Sequence, residues 1–199
     1  MELKRNEVGG KKFITVLADG KFHQTVDEGT EGAVIRKYKD KDDVEQSKTE
    51  LVFDEVSGVI TKISFEEGDY GKSLQIELDN EGIVSLNTAS NFGEDVMKKL
   101  PNINLKQEVR LVPYSFEETG KSRKGITIYQ NEEKVQNHYY NTETSEVING
   151  MPDFEGDKKD KDDWKIYFMK ARKFLMSEVE KLSVFSTKVE SKDTLDKEF

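Results

Sequence analysis

Between Leu51 and Tyr140 the chain reads as five short strands with one helix placed between the third and the fourth, an order that few folds accept. The strands are Leu51–Phe65, Lys72–Leu78, Gly82–Thr88, Glu108–Phe116 and Gly125–Val135, and the helix runs from about Asn91 to Leu100. Period-two alternation supports them: Leu74, Ile76 and Leu78 share one face against Gln75 and Glu77, and Ile126, Ile128 and Gln130 alternate with Thr127 and Tyr129. Gly58 interrupts the long first strand, where a small barrel has to coil its sheet. Pro113 has no amide donor, which places its strand at an edge or a bulge. Asn91 is the expected helix cap and Pro101 the helix stop.

The flanking segments read as extensions of this barrel, which spans 51–140. Residues 12–26, KFITVLADGKFHQTV, form an alternating hairpin around Asp19-Gly20, a pair suited to a turn with positive φ. A strand at Ala33–Tyr38 pairs with the start of Leu51–Phe65 through the loop KDKDDVEQSK, which is expected to project into solvent. Residues 1–50 hold too few large apolar side chains to bury a core alone, so they are expected to add strands to the barrel edge. Residues 141–161, polar and carrying Gly150, Pro152 and Gly156, read as a linker. From 162 to 185 an amphipathic helix places Trp164, Tyr167, Phe168, Ala171, Leu175, Val179 and Leu182 on one face, to pack on its own barrel or on a second copy. The protein is therefore a monomer or a homodimer on this reading, with residues 186–199 as an acidic, disordered tail. The expected fold class is mainly β: a five-stranded barrel of the oligonucleotide/oligosaccharide-binding (OB-fold) type, with an N-terminal strand extension and a C-terminal amphipathic helix.

Composition excludes several functions. The chain has no cysteine, so disulfides and thiolate zinc sites are ruled out, and its only two histidines, His23 and His138, lie far apart in sequence. No nucleophile elbow, phosphate-cradling glycine loop or histidine pair at metal spacing occurs, so neither an enzyme nor a cofactor is expected. The acidic run Asp157–Asp163 lacks the ligand spacing and mid-loop glycine of a calcium loop and reads as solvated linker; no metal site is assigned. His138, beside Tyr139 and Tyr140, is expected as a surface histidine at a strand end. MELKRNEVGG has no apolar signal-peptide run and no window approaches a membrane span, so the expectation is a soluble protein of the cytoplasm, the host cell's if viral, without a membrane partner.

Binding of a polyanion needs local cations, because the whole chain carries a formal charge of -9. The region 51–140 is itself acidic, with ten Lys/Arg against fifteen Asp/Glu. Two of its loops nevertheless combine cations with aromatic faces, the pairing that single-strand binders use for backbone and bases. The loop FEEGDYGKS offers Tyr70 and Lys72, and Asp69 and Gly71 flank Tyr70 at a loop tip. The loop YSFEETGKSRKG offers Tyr114, Phe116, Lys121, Arg123 and Lys124, with Tyr129 further along the strand. Glu66, Glu67, Glu117 and Glu118 must point away from any bound phosphate. At the C-terminus Asp193, Asp196 and Glu198 lead into Phe199, a partner-binding tail in this reading.

Together the segments EVSGVITKISFEEGDYGKSLQIEL and KLPNINLKQEVRLVPYSFEETGKSRKGITIYQNEEKV, the amphipathic helix and the tail ending in Phe199 resemble the phage-encoded single-stranded DNA-binding proteins. The resemblance implies sequence-independent coating of single-stranded DNA in replication or recombination, and recruitment of replication proteins through the tail. It implies that Tyr70, Lys72, Lys121, Arg123 and Lys124 form the rim of the binding groove and that Asp196, Glu198 and Phe199 belong to the tail motif. The competing reading is a non-catalytic interaction or structural module of a phage particle or polymerase complex, which the net charge favours.

Overall fold

Two polar residues, Asp54 and Glu55, divide what the sequence presents as one long first strand. Both are exposed and tied to other elements, Asp54 to Lys21 at 2.9 Å and Glu55 to Arg110 at 3.0 Å. The computed structural model describes residues 10–40 and 42–186, and the tail residues Asp193, Asp196, Glu198 and Phe199 lie outside them. In chain order the elements are β1 Lys12–Val16, β2 Phe22–Thr25, β3 Val34–Lys39, β4 Glu45–Phe53, β5 Val56–Gly68, β6 Gly71–Leu78, β7 Gly82–Asn87, α1 Asn91–Met97, β8 Glu108–Glu118, β9 Lys121–Gln130, β10 Glu133–Lys134, β11 Tyr140–Asn141, β12 Glu146–Val147 and α2 Lys161–Val179. The fold is mainly β. Ten strands form one sheet in the order β10-β9-β8-β5-β6-β7-β1-β2-β4-β3, and β11–β12 is a separate ribbon.

The expected five strands and helix occur in the expected chain order as β5, β6, β7, α1, β8 and β9, but they do not close into a five-stranded barrel. The edges that would have to meet, those of β7 and β9, are each satisfied otherwise. β7 takes β1 as a parallel neighbour, from Lys12↔Gly82 to Thr15↔Ser85. At β9 the α1 side chains replace a strand: Asp95 accepts the Ile126 amide at 2.8 Å, and Lys99 donates to the Ile126 carbonyl at 2.6 Å. Backbone groups that a fifth ladder would have paired are thereby bonded to side chains.

Several local expectations shift for identifiable reasons. Gly58 lies in β5 opposite Val109, shortly before a register shift between Ile60 and Lys62, where β5 passes from pairing with β8 to pairing with β6. Pro113 sits in a strand paired on both sides, yet the β5–β8 ladder stops at Leu111, so its missing N–H interrupts no bond there. The helix cap is Ser90, whose hydroxyl accepts the Gly93 amide at 3.1 Å, one residue before the expected Asn91. α1 ends at Met97, and Pro101 sits inside a short 3-10 turn, Leu100–Asn102. The expected last strand breaks at Asn131 and Glu132, both with positive φ, into the β9–β10 hairpin. The charged loop before β4 is shorter than expected, because Glu45–Lys48 pair with β3 and only a tight turn about Asp40–Val44 projects. Within 141–161, read as a linker, β11 and β12 pair and Met151 is buried.

The first four strands join the same core through Phe22, which is fully buried with Ile60, Leu74, Ile76, Leu111, Ile126 and Ile128. The β1–β2 turn reaches across to β8. Gly20 has φ +75, and a Cβ there would sit 2.5 Å from the Ser115 amide nitrogen, so this contact admits no side chain. On the outer side of β4, buried Glu50 accepts two bonds from Arg36 at 2.7 and 2.8 Å and faces His23 at 3.0 Å; the guanidinium holds its carboxyl below the ordinary carboxylate value.

α2 packs on the body of the protein through Ala171, Leu175 and Val179, all buried, with Phe174 edge-on to Tyr139. Asp160 caps it by accepting the Asp162 amide, and Asp163 in its first turn accepts the amide of Asp157 from the segment before it. Beyond α2 the chain bridges to β5, Ile63 donating to Val184 and Ser186 donating to Ile63, with Phe185 against Phe65. Among the described residues no helix is long and apolar enough to cross a membrane.

Candidate nucleic-acid interface

Hairpin geometry decides where each candidate side chain goes. β8 and β9 pair from Arg110↔Tyr129 to Glu118↔Lys121, and the turn between them, Thr119-Gly120, has positive φ at both positions. Such a turn follows the natural strand twist and carries the ribbon outward. Cross-strand partners share a face, so one side of the ribbon shows Tyr114 over Gly125, Phe116 beside Arg123, and Lys121 beside Glu118. The rings of Tyr114 and Phe116 lie 5.8 Å apart and tilted, and Phe116 is 52% exposed. Tyr114 can cross β9 because position 125 is glycine: a Cβ there would lie 2.4 Å from its hydroxyl and 2.5 Å from the Asp95 carboxylate. Burial, aided by nearby Asp95, raises the pKa of this phenol.

The cations of this ribbon are unequal. Arg123 pairs with Glu118 at 3.5 Å, whereas Lys121 and Lys124 have no carboxylate partner among the described residues. Glu117 alternates to the face away from Phe116. Glu118 shares the face of Phe116, Arg123 and Lys121, contrary to the expectation that it points away, and its charge is met there by Arg123. Lys124, like Glu117, alternates away, yet it lines the same cleft as Tyr114, bordered by α1.

The β5–β6 hairpin carries the other two candidates. Its turn is Asp69-Tyr70, closed by Gly68↔Gly71. Tyr70 is 80% exposed, while its carbonyl accepts a bond from Asn87 at 2.9 Å and the Lys72 carbonyl accepts two from Thr88. The end of β7 thus holds the turn, and the ring projects into water. Lys72 lies opposite Glu67, 4.0 Å away.

The structure groups Tyr114, Phe116, Lys121, Arg123 and Lys124 on one ribbon and places Tyr70 and Lys72 on another. β8 pairs with β5 only over Val56–Val59 and runs on from Leu111 in the opposite sense to β5, so the two tips leave that ladder at opposite ends. Tyr129 does not join either group. It lies six residues from Arg123, roughly 20 Å along the strand, with one face covered by Arg110 at 4.4 Å. That guanidinium is bonded to Glu55 and Glu132.

Two other aromatics escaped sequence reasoning. Phe13 is 58% exposed on β1, beside the outer face of β7. Phe168, assigned by helical spacing to the buried stripe, is 44% exposed at the cleft beside Lys124 and Tyr114. Periodicity places Phe168 with Ala171 and Leu175; only the tertiary fold shows that the surface beneath α2 ends before the helix does. His138 is half-buried, its amide donating to the Lys98 carbonyl and its ring 2.7 Å from the Asn102 side chain, which gives it a structural place. Among the described residues no group of three His, Asp or Glu could hold a metal ion.

Comparison with protein-family models, with curated proteins and with solved structures finds no match for this chain.

Proposed function

We propose that this protein binds single-stranded DNA without sequence preference and without catalysis, in DNA replication or recombination, as its resemblance to the phage-encoded proteins implies. The observation that carries the reading is the β8–β9 ribbon, which presents the Tyr114–Phe116 ring pair on the same face as Arg123 and Lys121. Rings of this kind accept stacked bases at about 1–3 kcal/mol each, and the lysines neutralise phosphates. The run of β5, β6, β7, α1, β8 and β9 supports it, since OB-type domains carry their ligand between the corresponding two hairpins. Tyr70 on the opposite hairpin then supplies the second rim.

The scaffold reading draws on one observation, the net charge of -9. One titration separates the two. Labelled oligo-dT is expected to bind more tightly than duplex of equal length, with a log–log salt slope of about -0.7 for each phosphate neutralised. A flat salt response, or equal affinity for duplex, returns the protein to the scaffold class.

A further inference from the structure

We propose that the cleft between the β8–β9 ribbon, α1 and the outer end of α2 is a second nucleotide subsite, in which Phe168 offers a stacking face and Lys124 a phosphate contact. The proposal rests on the single-strand reading above and extends the bound strand's path onto the C-terminal helix.

The cleft measures about 280 Å³, near the lower limit for ligand sites, and suits a single base rather than a bulky ligand. Lys98, Tyr114, Lys124, Asn137 and Phe168 line it. Two carboxylates also border it, and both are already engaged. Glu94 is held by Lys98, and Asp95 by Lys99 at 2.8 Å and by the Ile126 amide at 2.8 Å. Each of these acids is cancelled by the lysine one helical turn further on. Lys124 is then the lining cation without a carboxylate partner among the described residues, free to meet a phosphate.

The aromatic wall is held in place before any ligand arrives. α2 is anchored by buried Ala171, Leu175 and Val179, one to three turns beyond Phe168. On its own helix Phe168 stacks with Trp164 at 5.7 Å and leans on Tyr167 at 5.4 Å, contacts that hold the ring while it stays 44% exposed at the border of the cleft. A ring on an anchored helix, sharing one cleft with a cation and the Asn137 amide side chain, has the components of a base-stacking site.

The arrangement includes its own reporter. Trp164 is the only tryptophan in the chain and sits one ring away from the cleft. Full-length protein titrated with a fluorescein-labelled 20-mer of dT is followed by anisotropy, and with the unlabelled 20-mer by Trp164 emission. The 20-mer is expected to quench Trp164 in the wild type. Phe168→Ala should weaken 20-mer affinity about tenfold and remove most of the quench, while Phe168→Tyr restores both. Lys124→Ala should lower the salt slope by about 0.7. Anisotropy binding with no change in Trp164 emission and with Phe168→Ala at wild-type affinity overturns the subsite and leaves the single-strand reading standing. No anisotropy change at all overturns both. An effect of Phe168→Ala that Phe168→Tyr does not restore assigns the ring to packing and rejects the subsite.

Discussion

The two hairpins that bracket the proposed interface solve the same problem differently. The β5–β6 turn is tied to the end of β7 by Asn87 and Thr88, so its backbone is held while the single ring of Tyr70 reaches into solvent. Among the described residues no other element is hydrogen-bonded to the tip of the β8–β9 ribbon, which carries paired rings and lysines without carboxylate partners. One hairpin is a fixed post with an aromatic cap, the other a charged ribbon that follows its own twist. The difference teaches that affinity and its salt dependence should reside mainly in the ribbon, and salt-independent stacking in the post.

The strongest way to break this comparison is to replace Lys121, Arg123 and Lys124 together by alanine. The salt slope should fall by up to about 2, with a large loss of affinity for every sequence. Thermal stability should barely change, because exposed loop charges contribute little to folding. Equal slopes for mutant and wild type in anisotropy titrations would reassign the ribbon to solvation. Next in size, Tyr70→Ala is expected to cost about 1–3 kcal/mol of binding with the slope unaltered. Asn87→Ala keeps the ring but frees the turn, and should lose a smaller part of that energy, about 0.5–1.5 kcal/mol. If Asn87→Ala matches wild type, the tether does not prepare the ring. The smallest expected effect comes from removing Glu190–Phe199, which takes away Asp193, Asp196 and Glu198 along with the cations Lys192 and Lys197. Affinity should rise by no more than about fivefold, as befits exposed ionic competition, and the gain should fade at high salt. A truncated protein that binds more weakly would show that the tail supports binding.

Strand positions were legible in the sequence wherever one face is buried. β6 and β7 begin and end within a residue or so of their alternating runs, because Leu74, Ile76, Val84 and Leu86 all enter the core. Closure was not legible. Nothing in local alternation says that β1 will lie parallel to β7, or that Asp95 and Lys99 will bond across to Ile126; both are contacts between distant segments. The break at Asp54-Glu55 carried a weak signal, two acids within an apolar run, but its cause is the change of partner from β2 to β8. Among the candidate residues, types and loops could be read, while exposure could not. Tyr70 and Phe116 face water, Tyr129 is covered by Arg110, and Phe168 lies open at a cleft instead of in the core. Helical and strand periods define faces, but not how far the neighbouring layer extends.

If the proposed coating of single strands holds, the protein meets copies of itself at high local concentration, and open sheet edges then become liabilities. The α1 side chains that hold Ile126 close one such edge, and β10 covers the next stretch, at Tyr129 and Gln130. The sheet's other terminus, β3, has no further strand beside it among the described residues, and of its cations Arg36 is bonded to Glu50 and Lys39 to Asp43, which leaves Lys37 as its unpaired charge. A second sheet docking on that edge would have to bury these charged side chains, a cost that edge lysines commonly impose. The same chain can therefore pack densely without its sheets fusing from one molecule to the next.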